Sequence, residues 1–134
     1  MLAGVPSGPR NPEFSLSAQI DWTTYERVHS NRRNLVIHAF AVPLFIASIV
    51  FLIASIVRTE DVSVVIAVIL AFIAMGLQRR GHALEPHAPV PFSGPGNFLT
   101  RWFTEQFIIF PLFLLTGRWW HQFKSEAGES DDAA

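Results

Sequence analysis

The chain has 134 residues, of which half are apolar and only 16% are charged, and its formal net charge is -1. This charged fraction lies well under the roughly 25% of soluble domains and is typical of a membrane protein. The few arginines are scattered, so we expect no nucleic-acid surface. Because the sequence contains no cysteine, disulfides and thiolate metal sites are excluded.

The two ends differ in composition from the middle. Residues 1–14 and the acidic residues 125–134 are polar and rich in small side chains, and we expect both to be disordered. Residues 15–124 are expected to form a single membrane-embedded helical domain. Within it, residues 17–29 predict a short amphipathic helix lying on the membrane, with apolar positions at Ile20, Trp22, Tyr25 and Val28.

Two uncharged runs predict a transmembrane hairpin. Residues 35–57 are twenty-three residues without a formal charge, roughly 35 Å of helix against a hydrocarbon core of about 30 Å. Pro43 should kink this helix. A polar turn follows, and residues 62–77 return as a second uncharged run. Four arginines precede the hairpin and one lies in its turn, which places the turn outside and the other end in the cytoplasm.

Prolines and a third apolar stretch follow the hairpin. Four prolines after Glu85 predict an extended loop, since proline disfavours helix at its own position and at the one before. Residues 98–120 are apolar but interrupted, which is consistent with either a third tilted span or a re-entrant segment. Trp119 and Trp120 are typical of an interfacial belt. The predicted fold class is therefore all-α, a polytopic membrane helical bundle built on the hairpin.

Three histidines lie near the same rim of this hairpin. His29 and His38 are nine residues apart, on opposite sides of an uninterrupted helix, so they can share a ligand only if the chain turns at residues 30–34. His82 and Glu85 are three residues apart, which places them on one helical face. Three imidazoles and a carboxylate would suit one iron or zinc ion.

Each candidate has a structural alternative. His38 is the least incidental, because an ionisable group inside a span is a functional hypothesis by default. His82 is otherwise an interfacial residue, and His29 alone would be an ordinary surface histidine. Glu105 either orients a ligand imidazole, as carboxylates hydrogen-bonded to metal-binding histidines do, or pairs with Arg101 four residues before it. His87 is either a loop residue or a reserve ligand, and His121, beside two tryptophans, is expected to be interfacial.

The order and spacing of several short motifs resemble a known family. Tyr25-Glu-Arg-Val-His29, then Asn34-x3-His38 and Pro43, the hairpin, and Gly81-His82-x2-Glu85 followed by Pro89 are similar to the small membrane proteins that include a fungal 2-hydroxy fatty acid dioxygenase. The resemblance covers most of the chain between the two tails. Ala41 departs from it, because a glycine is expected two residues before the proline.

The resemblance implies an Fe(II)-dependent enzyme of fatty acid alpha-oxidation, which shortens a 2-hydroxy acid by one carbon with O2. It implies metal binding by His29, His38 and His82, accompanied by Glu85 and Asn34. Arg79, Arg80 or Arg101 would pair with the substrate carboxylate, because a guanidinium fork matches that group.

Two other functions stay open from the sequence. One is a non-catalytic membrane protein that binds lipid or assists assembly, with a structural zinc or no metal, and the other is a zinc hydrolase at the same site. The membrane would be a bacterial inner membrane or an endoplasmic reticulum membrane, with the histidines on its cytoplasmic side. The oligomeric state and the substrate chain length are not determined by the sequence.

Overall fold

A computed structural model describes residues 20–132, and every regular element within this range is helical. The elements are α1 (Trp22–Arg27), α2 (Arg32–Val57), α3 (Asp61–His82), α4 (Pro95–Thr104), a π-helical turn (Glu105–Ile109), α5 (Phe110–Leu115) and α6 (Arg118–Asp132). Three stretches of this range are long and apolar enough to cross a membrane: α2, α3 and Pro95–Leu115, here called the third segment. The predicted all-α membrane bundle is confirmed.

The chain turns between α1 and α2, as a site shared by His29 and His38 requires. The Asp21 side chain caps α1 by accepting from the Thr24 backbone N–H at 3.1 Å, so the helix begins later than residue 17. At the start of α2, the Asn31 side chain accepts from the Arg33 and Asn34 N–H groups. α1 ends at Arg27 and α2 begins anew at the Asn31 cap, so the chain is interrupted between His29 and His38. Residues 17–19 of the expected first helix, like the predicted tail 1–14, lie outside the described residues.

Small side chains allow α2 and α3 to pack closely. Two rows of buried residues spaced by seven are Ala41, Ser48 and Ser55 on α2 and Ala67, Ala74 and Gly81 on α3. A seven-residue repeat keeps one seam of each helix facing the other, and small residues permit the close approach on which packing in lipid depends. At Gly81 the approach is so close that an added Cβ would collide with the Asn34 side-chain oxygen.

The third segment ends at the histidine end of the hairpin. Its Trp102 ring lies 4.6 Å from Phe45, whereas Phe113 lies 5.2 Å from Tyr25 in α1. Phe45 is thirteen residues into α2, or about 20 Å at 1.5 Å per residue. The third segment therefore runs from the middle of the hairpin toward the start of α2 and the end of α3.

Both ends of the stretch from the proline loop to α5 therefore lie on one side. Just before the loop, the Asn31 side chain donates to the Leu84 carbonyl at 3.2 Å. Just after α5, the Trp119 indole N–H donates to the Leu35 carbonyl at 3.1 Å. Asn31 and Leu35 both belong to the start of α2. Of the two alternatives for this stretch, the geometry favours the re-entrant one.

The C-terminal helix is longer than expected. Residues 125–132, for which the sequence predicted disorder, continue α6 as far as Asp132. Once a helix has formed, each further residue adds a backbone hydrogen bond for the conformational freedom it loses, so the packed start of α6 can propagate into a polar tail.

Candidate metal centre

Three imidazoles from three different parts of the chain meet at the histidine end. The ring centres of His29, which follows α1, and His38, in the second turn of α2, are 5.0 Å apart. His82, the last residue of α3, lies 5.0 Å from His29 and 4.7 Å from His38. His29 and His38 are almost completely buried, with exposed fractions of 1% and 0%.

Backbone hydrogen bonds fix how two of the rings are oriented. Nδ1 of His29 lies 2.9 Å from the Tyr25 carbonyl, and Nδ1 of His38 lies 3.2 Å from the Asn34 carbonyl. A carbonyl accepts only, so each Nδ1 carries the proton and donates it. Each Nε2 is then left with a lone pair, the form in which imidazole binds a metal.

One nitrogen of each of the three rings is buried and makes no hydrogen bond within the part of the chain that the structure describes. These atoms are His29 Nε2, His38 Nε2 and His82 Nδ1. Buried polar atoms are normally hydrogen-bonded, and leaving one unpaired costs about 1–3 kcal/mol. Three such atoms at one point are lone pairs that a single cation would satisfy. The donor set therefore fits a metal.

The carboxylate at this point is Glu105. One ligand atom from each of His29, His38, His82 and Glu105 lies within 4.8 Å of all the others. Glu105 opens the π-helical turn between α4 and α5, and single π-turns within helices are frequent at functional sites. Its Oε1 is 3.4 Å from His29 Nε2 and 3.4 Å from the Tyr25 hydroxyl. Glu105 thus contacts His29 and Tyr25 and does not form the alternative ion pair with Arg101.

Glu85, which we expected to meet the histidines, instead binds the turn between α1 and α2. Its carboxylate accepts from the Ser30 N–H and hydroxyl, both at 3.0 Å, from the Asn31 N–H and from the Asn34 side-chain amide. The helical spacing failed because α3 ends at His82 and the chain has already turned at Glu85. Glu85 and Asn34 thus fasten the end of α3 to the start of α2.

A buried pair of amides, which the sequence reasoning missed, connects α3 to the π-helical turn. The Gln78 amide nitrogen donates to the Gln106 oxygen at 3.0 Å, and the Gln106 nitrogen donates back to the Gln78 oxygen at 2.6 Å. Gln78 is one helical turn before His82, and Gln106 follows Glu105. The pair therefore fixes the carboxylate relative to His82. The sequence could have indicated these glutamines, because Gln78 lies one helical turn from His82 and Gln106 is next to Glu105.

Tyr25 closes the side of the centre that faces α1. Its ring stacks on His29 with centres 4.1 Å apart. Burial, reinforced by the Glu105 carboxylate, raises the pKa of the Tyr25 phenol well above its ordinary value. The phenol therefore stays protonated and can donate to Glu105 at any physiological pH. The two other histidines considered, His87 and His121, are both exposed.

A mostly apolar cavity of about 970 Å³ opens beside the centre. His29, His82 and Glu105 form part of its wall, and so do Arg79 and Arg101. The Arg101 guanidinium is already engaged, because it donates to the Val90 carbonyl at 3.1 Å and lies 4.8 Å from the Phe92 ring. Arg80 is exposed and does not line the cavity. Of the three predicted arginines, Arg79 has the freest access to it.

The fold and the centre define a small helical membrane protein with a buried cluster of three histidines and one glutamate beside an apolar cavity. Residues 16–122 match the family described as 2-hydroxy-palmitic acid dioxygenase Mpo1-like, so the chain belongs to the Mpo1-like family. This match confirms the family that the sequence motifs resemble. No curated protein and no solved structure matches the chain.

Proposed function

We propose that this protein is an Fe(II)-dependent dioxygenase that shortens 2-hydroxy fatty acids by one carbon with O2 at the membrane surface. The observation that carries the proposal is the convergence of three unpaired, buried imidazole nitrogens and the Glu105 carboxylate. The family description supplies the substrate class and the type of reaction. Nitrogen and carboxylate ligands of this kind suit iron that reacts with oxygen.

His29, His38 and His82 would hold the iron, and Glu105 is the carboxylate placed to join them. When bound, the iron supplies the redox chemistry that O2 requires. The protein holds the imidazoles in the tautomer that binds metal, through the Tyr25 and Asn34 carbonyls. Tyr25 covers the centre and donates a hydrogen bond to Glu105. Glu85 and Asn34 act on the centre by positioning the elements that carry the histidines.

The substrate carboxylate would pair with Arg79, whose side chain is exposed and lines the cavity next to His82. Arg101 would keep the proline loop against α4, with Arg80 meeting anionic headgroups outside the cavity. The distribution of arginines favours a cytoplasmic position for the whole centre.

Metal analysis tests the proposal directly. Protein purified without oxygen should contain one iron per chain and consume O2 when 2-hydroxy fatty acids are added. Replacing His82 with Ala should remove the iron while the protein stays in the membrane. Gln122→Ala, a change outside the cluster, is the control. Normal iron content in the His82 variant would exclude His82 as a ligand.

The same measurement identifies the alternative, a non-catalytic lipid-binding or assembly protein. Three imidazoles and one carboxylate also complete a closed tetrahedral zinc site, which is the arrangement of structural zinc. Stoichiometric zinc without oxygen uptake, or no metal at all, would support this function. Turnover of an ester or amide without oxygen would instead indicate a zinc hydrolase.

A further inference from the structure

One glycine on α3 lines the apolar cavity without any packing reason to be glycine. A Cβ added at Gly76 would meet no atom within 4 Å, in contrast to Gly81, where the Asn34 side chain leaves no room. Glycine inside a helix is less stable than alanine, because its backbone loses more conformational freedom. Because contact with α2 does not require this glycine, the space beside it needs another explanation.

The cavity wall on α3 follows one helical face that leads away from the centre. Phe72, Met75, Gly76 and Arg79 all line the cavity, and their spacing of three and four residues continues to His82. At 1.5 Å per residue, Gly76 lies about 9 Å and Phe72 about 15 Å along the helix from His82. Phe72 is therefore the cavity residue of α3 farthest from the centre.

The opposite wall changes from polar to apolar in the same direction. Glu105 lies beside the histidines, whereas Trp102 and Phe98 lie deeper, with Trp102 against Phe45 in the middle of α2. His29, His82, Arg79 and Glu105 thus mark one end of the cavity as charged and polar. Toward the other end the lining is mainly aromatic, with Phe72, Phe98 and Trp102, and the Arg101 guanidinium that also lines it is engaged by the Val90 carbonyl. This polarity matches a molecule with one anionic end and a long hydrocarbon tail.

We propose that the acyl chain of the substrate lies in this cavity, between α3 and the third segment. The missing side chain at Gly76 leaves room for the acyl chain to extend as far as Phe72. A side chain at position 76 would obstruct the chain part of the way along, whereas Phe72 limits how far it extends. The proposal rests on the proposed function, since it takes a 2-hydroxy fatty acid as the occupant.

Two substitutions should move the chain-length preference in opposite directions. Gly76→Leu fills the passage, and overpacking of about 1–3 kcal/mol corresponds to roughly 5- to 150-fold in affinity. We expect the longest acids to lose about tenfold or more in binding while the shortest change by no more than about twofold. Phe72→Ala removes the distal ring, so longer acids should bind.

Each variant has a matched control outside the cavity. Gly96→Leu changes another helical glycine that has open space around it, and Ile73→Ala truncates an exposed neighbour of Phe72. Both controls should retain the wild-type length profile. Binding is measured by titrating the purified protein with radiolabelled 2-hydroxy fatty acids of increasing length, without oxygen so that no turnover occurs, and with and without added iron.

The outcomes separate this inference from the proposed function. An unchanged length profile in both cavity variants, or an equal loss at every length, would overturn the acyl-chain assignment even if iron and oxygen uptake are normal. Length-dependent binding that responds to both variants would support it even if the protein holds no iron and consumes no oxygen. Wild-type protein that binds none of the acids would overturn it as well.

Discussion

Replacing Glu85 by glutamine should lower the stability of the fold, whereas replacing Glu105 by glutamine should lower the affinity for metal. Glu85 lies near His82 in the sequence, and Glu105 lies near His82 in space. In the structure, however, Glu105 shares a point with the imidazoles, whereas Glu85 receives hydrogen bonds from the turn before α2. We expect Glu85→Gln to loosen the fold with the metal ligands intact, and Glu105→Gln to weaken the metal with the fold intact.

The size of the Glu85 effect follows from its hydrogen bonds. Ser30 and Asn31 donate to one carboxylate oxygen, and Asn34 donates to the other. Bonds to a charged group contribute about 1.5–3 kcal/mol each, against about 1 kcal/mol for neutral pairs. A glutamine keeps one accepting oxygen, so the loss, reduced by partial exposure, is about 2–3 kcal/mol. In a chain of this size that lowers the melting temperature by roughly 5–15 °C.

The Glu105 effect should appear in the metal itself. Glutamine preserves the shape of the side chain and its place beside Gln106 but removes the negative charge. Even groups that only support a metal ligand typically change metal affinity by about 10–100-fold. We therefore expect at least this loss for Glu105→Gln, and less than about tenfold for Glu85→Gln.

Cobalt-substituted protein in detergent provides the assay. The cobalt absorption spectrum reports the ligand set, chelator competition gives the affinity, and thermal unfolding gives the stability. Glu105→Gln should alter the spectrum, and Glu85→Gln should leave it unchanged. If Glu85→Gln altered the spectrum and Glu105→Gln did not, Glu85 would be the ligand and Glu105 would not.

Three further predictions concern packing, ionisation and topology. Gly81→Ala should lower stability by about 1–3 kcal/mol in thermal unfolding, because its Cβ meets the Asn34 side chain; an unchanged melting temperature would contradict the close approach. Tyr25 is the only tyrosine in the sequence, and tyrosinate absorbance should appear only well above pH 10. Since the unfolded chain loses this proton at about pH 10, stability should fall as pH rises beyond that value; ordinary titration near pH 10 would contradict burial. Because the chain has no native cysteine, single cysteines at Glu60 and Ser125 can be labelled individually, and they should react with impermeant reagents from opposite sides of the membrane.

The hairpin was predictable because its cause is local. Two long uncharged runs separated by a polar turn have few alternatives in a bilayer, where each backbone group must be satisfied within the segment. The meeting of His29, His38 and His82 at one rim follows from that hairpin and from a break after His29. The seven-residue spacing of small residues on both helices was also present in the sequence and predicts their close packing.

Glu85 shows why a local spacing can mislead. Three residues after His82 would share its helical face if the helix continued, but α3 ends at His82. The exact end of a helix depends on what the following residues bind. Here the Glu85 carboxylate accepts a hydrogen bond from Asn34 at the start of α2, a residue fifty-one positions earlier in the chain. Only the folded molecule contains that contact.

The order of apolar runs and histidines along the chain is enough to predict the membrane hairpin, the rim at which the histidines gather and the family. Long-range packing sets which carboxylate lies with the histidines and in which direction the third segment runs. Both depend on how the stretch after the proline loop packs on the hairpin. The Gln78–Gln106 pair fixes it to α3, and the Trp102–Phe45 contact fixes it to α2. Contacts between residues so far apart in the chain leave no periodicity in the sequence, because each is set by the positions of whole helices.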